Sequence, residues 1–429
     1  MKKIALCCLT CSLVSFTFAE NTLETSYEVA DSSSVNFEEN SEPATAATIN
    51  GKDSITLSSA YFGNQYTNKQ LAVFGLEVLR GLSRFENFVV SNFSNDEQNV
   101  AKWITRIFSI WIYHSFNTAY HEIGHGLKAR AYGSRFELCK HNEINDGFSK
   151  NENFFKFFVK RLANTSRAAC KYEKTNMTDH ESLVTAAAGM NNEVYISERI
   201  SRDFHDRGTL GFPEAFAYFY GKLSPAMYAL SKSSKNEVSD IERSDDPVCV
   251  GGYYKKLGIS ATKNDIALGG LVTTLLSGTS YSIIKAAFTG GDPTPISFHN
   301  FQMPDTFSYV TSKGISYRLA SAYKFQDDLK ILFGAEHVFH GKSTTEINLG
   351  FNKQFDSSLH NTNVEVVTTF CNGFNLEASC SVPVMNCLSI NVGAGTYSCR
   401  SMLGERHSKN MENNKGRNSD IYVSVSYRY

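Results

Sequence analysis

Apolar residues recur at two different periods along this chain, and the two periods separate two kinds of structure. Over the last third the period is two. Ile421, Val423, Val425, Tyr427 and Tyr429 alternate with Tyr422, Ser424, Ser426 and Arg428. Ile315, Tyr317, Leu319, Tyr323 and Phe325 alternate with Ser316, Arg318, Ala320, Ala322 and Lys324, and Ile347, Leu349, Phe351 and Phe355 with Glu346, Asn348, Gly350, Asn352 and Gln354. Leu329, Ile331, Phe333 and Phe339 form a further set, broken by His337. Such alternation predicts strands with one apolar face. Lys313-Gly314, Asp327-Asp328, Gly341-Lys342 and Asp356-Ser357-Ser358 supply the turns. Residues 301–429 have room for about eight such strands. The polar stretch from Gly404 to Ser419 reads as one exposed loop.

Upstream the period is helical. Trp103, Ile104, Ile107, Phe108, Trp111, Ile112 and Phe116 lie on one helix face, and Leu127, Ala129 and Ala131 continue it to Gly133, a C-cap residue. The prediction is one long apolar helix from Val100 to Tyr132. Phe212–Ser231 reads as another helix, with Pro213 near its start and Pro225 as a kink. Ile266–Phe288 is a long apolar run that suits a bilayer span, a buried helix or a strand hairpin. Residues 20–56 are rich in Ser, Thr, Asn and Glu and read as a disordered or tethering segment.

The long helix carries the one motif that implies a chemistry, His121-Glu122-Ile123-Gly124-His125. Residues four apart share a helix face, so both imidazoles can reach one metal ion. Glu122 is close enough to act as a base without ligating. Burying two His and a Glu in an apolar helix is costly unless they have partners. The plainer reading is a hydrogen-bonded His/Glu cluster in a helical core. His114 lies on the same face and reads as a neighbour or a core histidine; His141, His180 and His205 read as surface or loop residues.

Thr118–Gly133 resembles the active-site helix of HExxH zinc metallopeptidases. The resemblance implies zinc as cofactor, His121 and His125 as ligands, Glu122 as general base and later proton donor, and a protein or peptide as substrate. Ala186–Glu198 resembles the second-ligand helix of the gluzincins, which implies Glu193 as the third ligand. That family carries an acid four residues after the ligand, where this chain has Ser197, with Glu198 one further on. Asn236-Glu237 is the alternative pair.

The two ends place this chemistry. Met1-Lys2-Lys3, the apolar Ile4–Phe18 and the small residue Ala19 read as an export signal over 1–19. The last strand resembles the terminal strand of bacterial outer-membrane β-barrels, which ends on an aromatic residue, and the earlier alternating segments fit the same signature; a soluble antiparallel sheet with one wet face is the other reading. Beyond the signal lie seven cysteines, Cys139, Cys170, Cys249, Cys371, Cys380, Cys387 and Cys399. Their odd number leaves at least one outside any intramolecular disulfide, and Cys371–Cys380 and Cys387–Cys399 would be local pairings. Forty-two Lys and Arg against 43 Asp and Glu give no case for a nucleic-acid partner.

The expectation is an α+β chain: signal 1–19, tether 20–56, a helical zincin-like domain 57–295, and an antiparallel β-barrel-like domain 296–429 in the outer membrane. It would be an envelope zinc peptidase with its helical domain on the periplasmic side. Two readings compete: a non-enzymatic outer-membrane barrel, porin-like or adhesive, whose helical domain binds metal; and an intramembrane protease.

Overall fold

The long helix and the alternating strands both form, and they belong to one unit, Ile49–Tyr429, of the α+β class. The computed structural model describes residues 54–58, 67–140, 148, 154–163, 168–173, 177–230, 246–355, 362–371, 373–385, 388–398, 401–407 and 417–428. The expected signal and most of the tether lie outside the described residues, as do His141, Asn236, Glu237, Cys387, Cys399 and the turn at 356–358. Ser54–Ser58, which overlaps the end of the segment read as a tether, is a strand, β1.

The helices are α1 (Asn68–Ser91), α2 (Asn95–Ala131), α3 (Phe154–Ala163), α4 (Asp179–Arg207), α5 (Phe212–Leu230), α6 (Asp246–Lys256), α7 (Lys263–Leu275) and α8 (Gly278–Thr289). Thr67 with Gln70 and Thr178 with Glu181 form capping boxes that start α1 and α4. Helix α2 is the long helix expected from sequence and ends where Gly133 takes a positive φ of 78°. A two-stranded sheet, β2 (Phe136–Lys140) with β3 (Ala168–Tyr172), interrupts the helical region. Phe116, Tyr113, Tyr120, Phe154 and Phe204 centre the helical core.

After the short β4 (Ser297–Phe298) and β5 (Phe301–Gln302), eight longer strands follow. They are β6 (Asp305–Thr311), β7 (Gly314–Gln326), β8 (Leu329–Gly341), β9 (Thr345–Phe355), β10 (Thr362–Cys371), β11 (Gly373–Met385), β12 (Leu388–Ser398) and β13 (Arg417–Arg428). Each of these eight pairs antiparallel with the next, and β1 adds to β13. The turns at Lys313-Gly314, Asp327-Asp328 and Gly341-Lys342 fall where expected. The Cys371–Cys380 disulfide is not formed: Cys371 stands opposite Gly373 at the hairpin turn, while Cys380 stands opposite Val364 far along the strands.

The sheet's polarity is inverted relative to a soluble protein. One face exposes Leu319, Phe339, Ile347, Leu349, Phe370, Phe374, Val384, Ile421 and Val423. The other face buries Ser316, Glu336, Glu346, Asn348, Thr369 and Asn375. The stretch read as an exposed loop supplies part of the reason. Gly404–His407 belong to a ninth helix, α9 (Met402–His407), lying against the polar face. Its Arg406 donates two hydrogen bonds of 2.6 Å to the two oxygens of Glu336, and Met402 N–H donates to Glu346. From the same side α4 reaches the strands through Glu198–Arg318, Arg202–Glu365 and Asp206–Lys330. A cavity of about 410 Å³ remains between α4 and this face, lined by Arg199, His205, Asn352, Glu377 and Tyr397 among others.

Candidate metal centre

Helix α4 positions the site because it packs backbone to backbone on the HEIGH face of α2. At Gly124 a Cβ would stand 2.6 Å from Asn192 Nδ2 and 2.8 Å from the Ala188 carbonyl oxygen, so only glycine admits the contact. Asn192 donates to the Tyr120 carbonyl across the same seam. At its free edge, strand β6 is tied to α4 by Asn191, whose side chain bonds both the N–H and the C=O of Val310. This fixes α4 between α2 and the sheet.

His121 and His125 are both only 6% exposed, and their Nε2 atoms lie 3.2 Å apart. Two imidazoles bound to one zinc at about 2.0–2.1 Å with a tetrahedral angle would hold their nitrogens about 3.3 Å apart. The outer edges of both rings face acceptors. His125 Nδ1 lies 2.7 Å from the Thr185 carbonyl oxygen, and His121 Nδ1 lies 3.2 Å from Glu193 Oε1. The carbonyl favours a protonated Nδ1 on His125, which leaves a lone pair on its Nε2. The Glu193 contact with His121 is an ion-pair distance without hydrogen-bond geometry, and the two Nε2 atoms are close enough to share either a proton or a metal.

Glu193, the expected third ligand, is brought to the site, but at the Nδ1 edge of His121, away from the Nε2 pair. Its Oε1 accepts from Asn117 Nδ2 at 2.6 Å and its Oε2 from the Ser224 hydroxyl, and it is fully buried. A fully buried carboxylate requires such donors, and they hold it where it orients His121. Among the described residues, no group of three or more His, Cys, Asp or Glu side chains is placed to hold a metal ion. The two histidines converge, and the described residues do not complete the three-ligand set expected of a zinc hydrolase.

Glu122 is half-buried on the side of α3 and β3, close enough for its charge to bear on Arg161 and Cys170. Burial lowers the Arg161 guanidinium, against the pull of Glu122. Burial raises the Cys170 thiol well above its usual range, so Cys170 stays a neutral thiol. His114 is exposed, with Tyr220 edge-on to its ring, and burial lowers its pKa, Arg161 adding to the effect. Tyr228 from α5 lies over the His121 ring at 5.3 Å. His205 is elsewhere, 3.2 Å from Asp305, and His180 is exposed in the first turn of α4.

Sequence reasoning missed Asn117, Thr185, Ser224 and Tyr228, while the alanines and Gly189 of α4 read as residues that admit close approach of another backbone, as they do. Asn117 carried a signal, since it sits one helical turn before His121 on the same helix. The others contribute a carbonyl or contacts from another helix, which spacing does not encode. No protein-family model, no curated protein and no solved structure matches the chain.

Proposed function

We propose that the chain is an outer-membrane protein whose helical part binds zinc through His121 and His125 and hydrolyses peptide bonds there. The observation that carries the metal reading is the convergence of two buried Nε2 atoms, with His125 held at Nδ1 by the Thr185 carbonyl and the Glu193 carboxylate 3.2 Å from Nδ1 of His121. The membrane reading is supported by the sheet, whose charges are covered and whose apolar side chains face outward; this is the arrangement of a transmembrane β-barrel, and closure into a barrel belongs to the proposal.

Zinc held there would supply Lewis acidity to a peptide carbonyl. The chain's own residues do the rest. Glu122 stands toward α3 and β3; as general base it would have to turn to the histidine pair, where its carboxylate would take the proton of the attacking water and return it to the leaving amine as the C–N bond breaks. Glu193 and Thr185 keep the two rings oriented. Glu122→Gln is the test: zinc content stays at the parent's level and peptide cleavage is lost. A variant that cleaves as fast as the parent refutes the mechanism.

A second reading, a metal-binding outer-membrane protein without activity, is favoured by one observation. Both histidines are nearly inaccessible and have no third protein ligand among the described residues. Zinc bound stoichiometrically with no cleavage of any peptide by the detergent-solubilised parent decides for it.

A further inference from the structure

The apolar run read as a single segment is two helices, α7 and α8, bent by 61° at Leu276–Ser277. No single helix among the described residues is long and apolar enough to cross a membrane. The pair nevertheless lies on the outward face of the sheet. The hydroxyl of Thr306 in β6 donates to the Thr273 carbonyl of α7 at 2.9 Å, and its backbone carbonyl accepts from Ser277 of the bend and from Lys222 of α5. Thr306 is the cross-strand partner of Leu319, and paired residues share a face. Leu319 is exposed in the same row as Ala335 and Ile347. Helix α7 therefore covers the edge of the face that carries the exposed apolar rows.

What the pair turns away from the protein is apolar too. Leu268, Leu271, Leu275, Leu276, Tyr281, Ile284 and Phe288 are all exposed, Leu275 at 76% and Phe288 at 87%. Residues 266–284 contain no charge, with Asp265 before them and Lys285 after. An apolar surface on a bent helix could also serve a protein partner. The polar groups at the bend argue for lipid. Hydrocarbon leaves no water to satisfy a broken helix, so every freed group needs a partner within the protein. Here Gly278 N–H donates to the Pro304 carbonyl, Thr279 N–H to Asp305 Oδ1, and Leu276 N–H to Val272. The hydroxyls of Thr273, Thr274 and Ser277 bond back to carbonyls one turn earlier.

We infer that the lipid-facing wall of this protein is composite: α7 and α8 lie in the bilayer hydrocarbon and continue the apolar face of the sheet past strand β6. The inference rests on the membrane reading above and extends it to a helical pair. The partner is the acyl region of a phospholipid bilayer.

The test uses the full chain with Trp103 and Trp111 replaced by Phe, carrying one new tryptophan, in vesicles of phosphatidylcholine brominated on the acyl chain. Leu349→Trp reports the sheet face, Leu275→Trp and Leu276→Trp report the helical pair, and Asn352→Trp reports the polar face. The inference expects the first three to lose at least half their emission relative to unbrominated vesicles, and Asn352→Trp to lose little. Quenching at Leu349 without quenching at Leu275 and Leu276 overturns the composite wall and leaves the sheet in the membrane. Absence of quenching at all four overturns both. Quenching at Leu275 and Leu276 alone also overturns it, because the wall is then not shared with the sheet.

Discussion

Substituting Gly189 by alanine isolates the packing that defines the histidine pair. A Cβ at Gly189 would stand 2.5 Å from Nε2 of His121 and 2.5 Å from Nε2 of His125. His125 is held at its other edge by Thr185, and His121 lies against Glu193 and Tyr228, so neither ring yields without giving up those contacts. Alanine gains about 1 kcal/mol over glycine in a helix interior. Overpacking a filled site costs about 1–3 kcal/mol, and each abandoned Nδ1 contact about 1 kcal/mol more. The sum is a net loss of roughly 2 kcal/mol. Gly81 in α1 is the control: it is exposed, and a Cβ there meets nothing within 4 Å, so alanine should stabilise by up to about 1 kcal/mol. The assay is thermal denaturation of both full-length variants in one detergent, with metal content beside it. The expected outcome is a melting temperature several degrees lower for Gly189→Ala than for Gly81→Ala, and zinc lost only from the former. Equal melting temperatures with zinc retained in both would refute the claim that the Nε2 pair is packed against α4.

Two further substitutions probe the rest of the fold. Arg406→Met leaves Glu336 buried without its bidentate partner, so stability should fall by about 3–5 kcal/mol, and by much less in the Arg406→Met/Glu336→Met double variant; a single variant as stable as the double removes the pair from the account, with denaturant midpoints as the readout. Burial pushes Glu77 in α1 up to about 7, with Asp203 adding to the rise and Arg80, Arg84 and Arg207 opposing it. Because the folded pKa lies above the unfolded value of about 4.3, the folded state holds the proton longer, and stability falls as pH rises from there to 7. At about 1.4 kcal/mol per pH unit the fall is on the order of 3 kcal/mol, and Glu77→Gln should flatten it in a pH series of melting temperatures. An unchanged pH slope in that variant contradicts the raised pKa.

How much of this was legible in the sequence follows from what each pattern encodes. A period of two fixes which residues share a sheet face, and β7, β8, β9 and β13 formed about as the alternation reads. It does not say which face meets water, and the inverted polarity needed the burial of Glu336 and Asn348 to appear. Helical spacing put His121 and His125 on one face. Glu193 came from the resemblance of Ala186–Glu198 to a second-ligand helix; a resemblance in sequence does not fix which edge of an imidazole a carboxylate meets, and here it stands at Nδ1 of His121. Gly404–His407 looked like loop because its composition is polar; its charges are satisfied by strands far away in sequence. The run 266–288 breaks at the Ser277-Gly278 pair, a turn signal that the apolar run masked, and there Gly278 lies against Met303 and donates to the Pro304 carbonyl.

The central claim is that His121 and His125 hold one metal through Nε2. X-ray absorption at the zinc edge of the purified, zinc-loaded full chain tests it most directly. The account predicts about one zinc per chain with a two-imidazole shell near 2.0 Å. That shell should be lost in the His121→Ala/His125→Ala variant and kept in Glu193→Gln. A parent that binds no zinc, or binds it equally well without the two histidines, would contradict the account and leave HEIGH as a packed seam between α2 and α4.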